Sequence, residues 1–386
     1  MPLHAIATAL PALHEGLNRL PALADPDRLW DMLRRLLAAH APSGGANLPG
    51  GIGGEIAALA GELGLGDRVI PALGSTGNTA LWLGADGPQP DVVVAAHMDR
   101  PSFRVQNPDE GTLFAICANR FPPGDYRTPA KAVRFAEGRL VVGAQGTLVS
   151  RKADGDAALR FEAARGSLDW ADTVLIDPPP ARDGDRVTGT GLDNSLGVLA
   201  ALLATAALSA GEDALSRAGR RLLVVFTDQE EGPPDGFFGH GAARLASALP
   251  PPVAGCVVVD AHTAGPGPGV ELGRGAGHGT ASGWGRGSIA PPNVHALALD
   301  LARQINDTRP GTVQMNTGYL SRSDDMILGR WAPVLGLIGP PMTDPHTGHE
   351  AARLSDIQAS AWWLAHFLAA ALNIAPEIGQ RYGLAR

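Results

Sequence analysis

The pattern of apolar and polar positions gives the chain two textures. From Leu29 to His40 (LWDMLRRLLAAH) apolar residues recur every three or four positions behind Asp25 and Asp27, as in a capped amphipathic helix. A Gly-rich loop, APSGGANLPGGIGGE, leads to a second helical stretch from Glu55 to Leu63 and lacks the Lys-Ser/Thr ending that a phosphate loop needs. The apolar runs NTALWLG and DVVVAAHMD, bounded by Gly and Pro, read as strands. From Thr190 onward helix and strand alternate through LGVLAALLATAAL, RRLLVVFTD, HGAARLASAL and VAGCVVVDAHT. A helix from Pro292 to Ile305, a strand at VLGLIG and a C-terminal helix carrying SDIQASAWWLAHFLAAAL complete the series. Continuous Val/Leu runs separated by helices predict an α/β fold, a mostly parallel sheet with helices on both faces.

The second texture lies between. SFRVQ, TLFAICANR, KAVRFAEGRLVVGAQGTLVSR and ALRFEA alternate over short distances with no long helix, which predicts a small inserted all-β domain. The expected organisation is an N-terminal helical extension (1–24), a main domain built from 25–99 and 190–386, and the β-insertion at 100–189. At 386 residues, one large domain with a smaller one is the natural expectation.

Composition removes several function classes. A formal net charge of −8, without a basic stripe, argues against a nucleic-acid binder. Cys117 and Cys256, far apart in strand-like runs, exclude a multi-disulfide framework and a four-cysteine zinc site, and fit a reducing cytoplasm. The N-terminus lacks the basic start and continuous apolar stretch of a signal peptide, and no run of about 18 apolar residues stands out, so a soluble cytoplasmic protein is expected.

Metal-competent side chains recur where strands end. His97 and Asp99 close DVVVAAHMD, Glu230 and Glu231 close RLLVVFTDQEE, and Asp260 closes GCVVVD; Asp193 precedes a helix and His346 follows VLGLIG. In an open α/β sheet the crevice beyond the carboxyl ends of the strands gathers such groups although they lie far apart in sequence. His and carboxylate donors of this kind suit a paired-metal hydrolase in which one carboxylate bridges both ions, and Asp193 is the natural bridge. Asp99, two residues after His97, is placed to accept the far ring N–H of that histidine. Of the adjacent acids Glu230 and Glu231, one can bind metal while the other holds the reacting water.

With these motifs, AAHMD, GLDNSLG, TDQEEG, VVVDAHT, SRSDDMILGR and PHTGHEAARLSD, the chain resembles the deblocking or tetrahedral (glutamyl) aminopeptidase family of dinuclear metallopeptidases, from about Asp25 to Phe367. The resemblance implies one metal held by His97 and Asp260, the other by Glu231 and His346, with Asp193 shared and Glu230 as general base. It favours His346 over His349 as the last ligand, because His346 places Glu350 and Asp356 in the family register. The long stretch between His97 and Asp193 has room for the β-domain that these aminopeptidases insert, whereas the shorter one from Asp260 to His346 leaves little for the lid of related deacylases. Two departures bear on substrate preference: Arg100, Pro101 and Ser102 follow where the family has an acid and a Gly, and Gly232, Pro233 and Pro234 replace an apolar-Gly pair.

The implied function is release of N-terminal residues from short peptides by two divalent ions per chain, zinc first and cobalt or manganese as alternatives. A homo-oligomer, associating through the β-insertion, is expected. A metal-dependent deacylase or amidase is the alternative within hydrolases, and a catalytically silent peptidase-fold binding protein the alternative from another class. Excess acid near the ions favours a free α-amino group, while Arg100 would attract a substrate carboxylate or neutralise an acid. Neither cysteine has a motif that marks a nucleophile, and there is no Gly-x-Ser-x-Gly elbow. GRGAGHGTASGWGRG lacks the strand and helix of a dinucleotide site. Trp362 and Trp363 read as core or oligomer contacts, and His262 and His278 are the remaining histidines expected near the site.

Overall fold

The computed structural model describes residues 11–117, 121–122, 124–152, 158–232, 238–265, 269–283, 287–319 and 322–381. The first ten residues of the expected extension, and Pro233 and Pro234, lie outside the described residues. The chain opens with helices α1 (Pro11–Leu17), α2 (Leu20–Leu23) and α3 (Pro26–Ala38). Helix α3 starts ahead of Leu29 because Asp25 is its cap, accepting from the main-chain N–H groups of Asp27 and Arg28 at 3.0 and 3.2 Å, with Pro26 in the first turn. Its periodic residues Leu29, Met32, Leu33, Leu36 and Leu37 are buried.

Helix α4 (Ile52–Glu62) and strands β1 (Val69–Ile70), β2 (Thr79–Gly84) and β3 (Val92–His97) follow. Strands β4 (Phe103–Asn107), β5 (Thr112–Ala115), β6 (Gly124–Ala136), β7 (Arg139–Lys152), β8 (Ala158–Gly166) and β9 (Thr173–Ile176) form a closed barrel, sealed where Phe103 pairs with Val174. Closure removes the exposed edges of an open sheet and encloses a separate apolar core that includes Phe103, Leu148 and Phe161.

After β10 (Ala181–Asp183) and β11 (Arg186–Gly189) come α5 (Leu192–Leu208), α6 (Glu212–Arg217), β12 (Arg221–Thr227), α7 (His240–Ala248), β13 (Gly255–Val259), β14 (His262–Thr263) and β15 (Ala276–Gly279). The chain ends through α8 (Pro292–Thr308), β16 (Val313–Asn316), α9 (Asp325–Leu328), β17 (Val334–Gly339), β18 (Pro341–Thr343), β19 (Glu350–Arg353), α10 (Leu354–Asn373) and α11 (Ala375–Arg381).

The α/β class expected from the sequence is borne out. The central sheet runs β1-β2-β12-β3-β13-β17-β15-β16; the inner four strands are parallel, β2 and β15 join them antiparallel, and β16 pairs parallel with β15. Strand β3 is buried on both faces: Val92, Val94 and Ala96 pack in the core that holds α5 and α10, while Val93 and Ala95 pack in the core that holds α7 and α9. This two-sided burial is why the inner strands read as unbroken apolar runs. The segment Leu192–Arg217 is long and apolar enough to cross a membrane, yet 89% of its most apolar window is buried, so it is a core helix. A second sheet, β10-β11-β19-β18-β14, lies outside the expected pattern, since strands of two to four residues are too short to display a period of two.

Candidate metal centre

Parallel pairing brings the carboxyl ends of the inner strands to one rim. His97 ends β3, level with Thr227 at the end of β12; Asp228 to Glu231 continue from β12, and Asp260 follows β13. Asp193 sits in the first turn of α5, joined to Asn194 by a cis peptide, and His346 lies between β18 and β19.

Asp193 faces two histidines with its two oxygens. His97 Nε2 lies 3.2 Å from Asp193 Oδ1 and 3.5 Å from Asp260 Oδ1. His346 Nε2 lies 3.4 Å from Asp193 Oδ2 and 3.2 Å from Glu231 Oε1. All five residues named from the sequence as metal ligands therefore converge. Glu230 Oε2 approaches His97 Nε2 at 3.9 Å, so this acid belongs to the same cluster.

Asp99 behaves differently from expectation. The far ring nitrogen of His97, Nδ1, meets the main-chain carbonyl of Asp99 at 3.2 Å, while the nearer carboxylate oxygen stands 3.8 Å away. That carboxylate is engaged elsewhere: Oδ1 accepts from the Glu230 N–H at 3.0 Å and Oδ2 from the Glu231 N–H at 3.2 Å. Asp99 thus fixes the imidazole through its backbone and clasps the Glu230–Glu231 segment through its side chain. Behind it, Gln229 turns the chain at φ 63°, held by its N–H to Asp228 Oδ1 (2.8 Å) and its carbonyl to the His240 N–H (3.0 Å). The Gly-rich loop closes the rear wall, where Ser43 Oγ donates to the Glu231 carbonyl at 3.1 Å.

The other loop is tied by a residue given no chemical role in the sequence reading. Glu350, fully buried, accepts from the His346 N–H at 3.0 Å and from the Leu192 N–H at 2.8 Å, coupling the His346 turn (φ 64°) to the turn that carries Asp193. Burial and the charge of Asp193 push its carboxyl up to about 8. Gly348 N–H donates to Tyr126 Oη on barrel strand β6 at 2.9 Å, so the barrel also holds this loop. His349 sits beside the Tyr126 ring, with centroids 6.4 Å apart, so it is His346 that meets Asp193 and Glu231.

Cys117, read from the sequence as an unmarked strand residue, sits just past the end of β5 and beside the centre. Its Sγ, a Glu231 oxygen and a His346 nitrogen lie within 4.8 Å of one another, as do donor atoms of His97, Asp193 and Asp260. Burial pushes the thiol up to about 12, and the Glu231 carboxylate adds to the rise. No sequence spacing announces this neighbour: the β4–β5 hairpin returns the chain to the start of the insertion, where the Ile116 N–H donates to the Ser102 carbonyl at 2.9 Å.

Arg100 turns away from the donor cluster, and the acids whose charge acts on it are Glu350 and Asp177. Its guanidinium is buried, donating from Nη2 to Leu36 O at 2.7 Å and from Nη1 to Leu37 O at 3.0 Å at the end of α3. There it satisfies helix-terminal carbonyls and faces their partial negative charge. His262 contacts the Tyr319 ring, whose O–H donates to Asp260 Oδ2 at 3.4 Å, and so stands one residue behind the cluster. His278 is a core residue, accepting at Nδ1 from Trp363 Nε1 at 3.1 Å; Trp363 is fully buried.

The donor set fits divalent cations. Asp193 Oδ1 and Glu231 Oε1 are buried with no hydrogen bond of good geometry, an arrangement that costs about 1–3 kcal/mol or more per group unless a charge compensates it. Burial would raise the Asp193 carboxyl, but the approach of His346 and His97 holds it below the usual carboxylate range. Burial raises Glu230 well above that range, opposed by His97 and reinforced by the charges of Glu231 and Asp260. Both His97 and His346 hold protons far more tightly than usual: burial opposes this, and the charges of Glu230 and Glu231 respectively, with contacts to Asp193, outweigh it. Carboxylates outnumber imidazoles here, so the pocket attracts positive charge.

The family and the fold have counterparts among known proteins. Residues 152–362 match the M42 glutamyl aminopeptidase family. An aminopeptidase from the archaeon Desulfurococcus kamchatkensis is similar in structure, with a TM-score of 0.67 and 20% identity, over 92% of this chain and 98% of that one. A TET aminopeptidase from a marine sediment Thaumarchaeota archaeon gives 0.68 and 16%, over 89% and 96%. The TET1 peptidase of Pyrococcus horikoshii, which can assemble into a tetrahedron or a large octahedral shell, gives 0.65 and 17%, over 88% and 99%. None of the curated proteins matches the sequence.

Proposed function

This chain belongs to the M42 glutamyl aminopeptidase family and is a metallo-aminopeptidase, and from that premise we propose that it uses two divalent ions to release N-terminal residues from short peptides. The observation that carries this reading is the placement of Asp193, whose two carboxylate oxygens are turned to two different histidines. His97 and Asp260 would hold one ion, Glu231 and His346 the other, with Asp193 between them. Bound there, such ions lower the pKa of water and polarise an amide carbonyl.

The remaining work falls to the protein. Glu230, buried at the edge of the donor cluster with Oε2 3.9 Å from His97 Nε2, would take the proton of the attacking water and pass it to the leaving nitrogen. Asp99 keeps Glu230 and Glu231 in register by holding both of their N–H groups. Glu350 keeps the His346 turn against the start of α5. Surplus carboxylate charge in the pocket favours a substrate with a free α-amino group. Burial of Arg100 under α3 removes the cation that would have drawn a substrate carboxylate, which supports the aminopeptidase reading over deacylase action.

The same reading takes 25–99 and 190–386 as the catalytic domain, 100–189 as the inserted β-domain, zinc as the ion and the cytoplasm as the setting. It takes the protein as a homo-oligomer associating through the barrel, where Phe114, Phe135, Val142 and the nearby Trp170 are exposed. The test is one short peptide series with its N-terminus free, acetylated or formylated, assayed before and after chelation and metal return. Cleavage of the free-amine series that vanishes with metal and returns with it is expected. Faster cleavage of the acylated series would overturn the aminopeptidase assignment, and full activity after exhaustive chelation would overturn the metal assignment.

A further inference from the structure

The two cysteines are both buried but have different surroundings. Cys256, on β13, belongs to the apolar core under α7 and α9 and behaves as the small hydrophobe that buried cysteines usually are. Cys117 belongs to none of the apolar clusters among the described residues. Its Sγ instead shares a 4.8 Å cluster with a carboxylate oxygen of Glu231 and a ring nitrogen of His346. Into this cluster points a second observation, the buried Glu231 Oε1, which lacks a hydrogen bond of good geometry.

We propose that Cys117 is a metal ligand, its sulfur joining Glu231, His346 and the shared Asp193 around the second ion. This inference rests on the dinuclear reading above and extends it to a residue supplied by the barrel. On binding, the S–H bond breaks, the proton leaves to solvent and the sulfur lone pair forms the bond to the ion, as thiol ligands require.

Two consequences follow from the donor count. With Cys117 the second position would offer four protein donors, enough for a tetrahedral site, whereas His97, Asp260 and Asp193 would offer three at the first. The centre would then be asymmetric, with the more open position on the His97 side, where Glu230 stands 3.9 Å from the ring nitrogen. A sulfur donor also selects zinc or cobalt over manganese at the closed position.

The full-length protein, stripped of metal and titrated with cobalt(II), tests this by absorption. The expected result is a sulfur-to-cobalt charge-transfer band in the near ultraviolet that grows with one of the two bound ions, persists in Cys256→Ala and is lost in Cys117→Ala. Cobalt affinity at that position falls at least about tenfold in Cys117→Ala, since even indirect partners of ligands carry that much. Cys117→Asp, which returns a charged donor, recovers affinity without the band and separates ligation from folding. Two bound cobalt ions without the band, or a band that survives in Cys117→Ala, would overturn the thiolate assignment while leaving the dinuclear reading in place. Failure of the wild-type protein to bind cobalt at all would overturn both.

Discussion

The two halves of the donor cluster are built in different ways. The His97–Asp260 half stands on the ends of β3 and β13, adjacent parallel strands fixed by a hydrogen-bonded ladder and buried on both faces. The Glu231–His346 half stands on two loops that turn through left-handed residues, Gln229 at φ 63° and His346 at φ 64°. Such conformations cost of order 1–3 kcal/mol each and persist only where surrounding contacts over-determine them. Here the contacts are Asp99, Asp228, Glu350 and, from the barrel, Tyr126. One half is therefore a property of the sheet, and the other a property of the supports around it.

The largest effect should come from the residue the halves share. Asp193→Ala should release both ions and reduce hydrolysis to background, read by elemental analysis beside a peptide assay; retention of both ions would remove the bridge. Glu230→Gln should separate chemistry from binding, keeping both ions while turnover drops at least about 10²-fold. If turnover is unchanged, the base lies elsewhere. Glu350→Gln, which loosens the His346 turn and the turn before Asp193 together, should weaken the His346 position most, about 10- to 100-fold, and the His97 position, which shares only Asp193, less. Equal weakening at both positions, read by metal titration, would abolish the distinction.

Acid stability needs a correction for groups outside the centre, and His278 supplies one. Burial holds its pKa down to about 3, so the unfolded chain takes up a proton that the folded one refuses. Stability is therefore lost as pH falls below about 6.5, by about 1.4 kcal/mol per pH unit from this group alone. His278→Gln, which retains an acceptor for Trp363 but does not titrate, should flatten urea-melting stability against pH by that amount. A slope no flatter than wild type would relocate the acid sensitivity. The smallest effect belongs to Tyr126→Phe, which removes the acceptor for the Gly348 N–H at a cost of about 1 kcal/mol. It should lower metal affinity a few-fold at the His346 position alone.

The contrast between halves also explains what could be read in advance. His97, Asp260 and the Glu230–Glu231 pair follow apolar runs long enough to identify as buried strands, and strand ends in an open α/β sheet point to a crevice. Asp193 was legible because it precedes an apolar helix. Hydrophobic pattern carries no information about which loop carbonyl a ring nitrogen meets, so the main-chain contact of His97 and the clasp of Asp99 on Glu230 and Glu231 came only with the fold. Arg100 looked like part of the site because it follows Asp99, but the chain bridges to Pro42 there and sends the guanidinium under α3. Cys117 was hidden most completely, since its position depends on how the β4–β5 hairpin returns beside Ser102 and meets the His346 loop.

Whether two ions share Asp193 is read from anomalous diffraction by crystals of the zinc-loaded protein. Shared ligation gives two peaks about 3.5–4 Å apart on either side of Asp193, one bounded by His97 and Asp260 and the other by Glu231 and His346. A single peak, or ions bound away from Asp193, would contradict it.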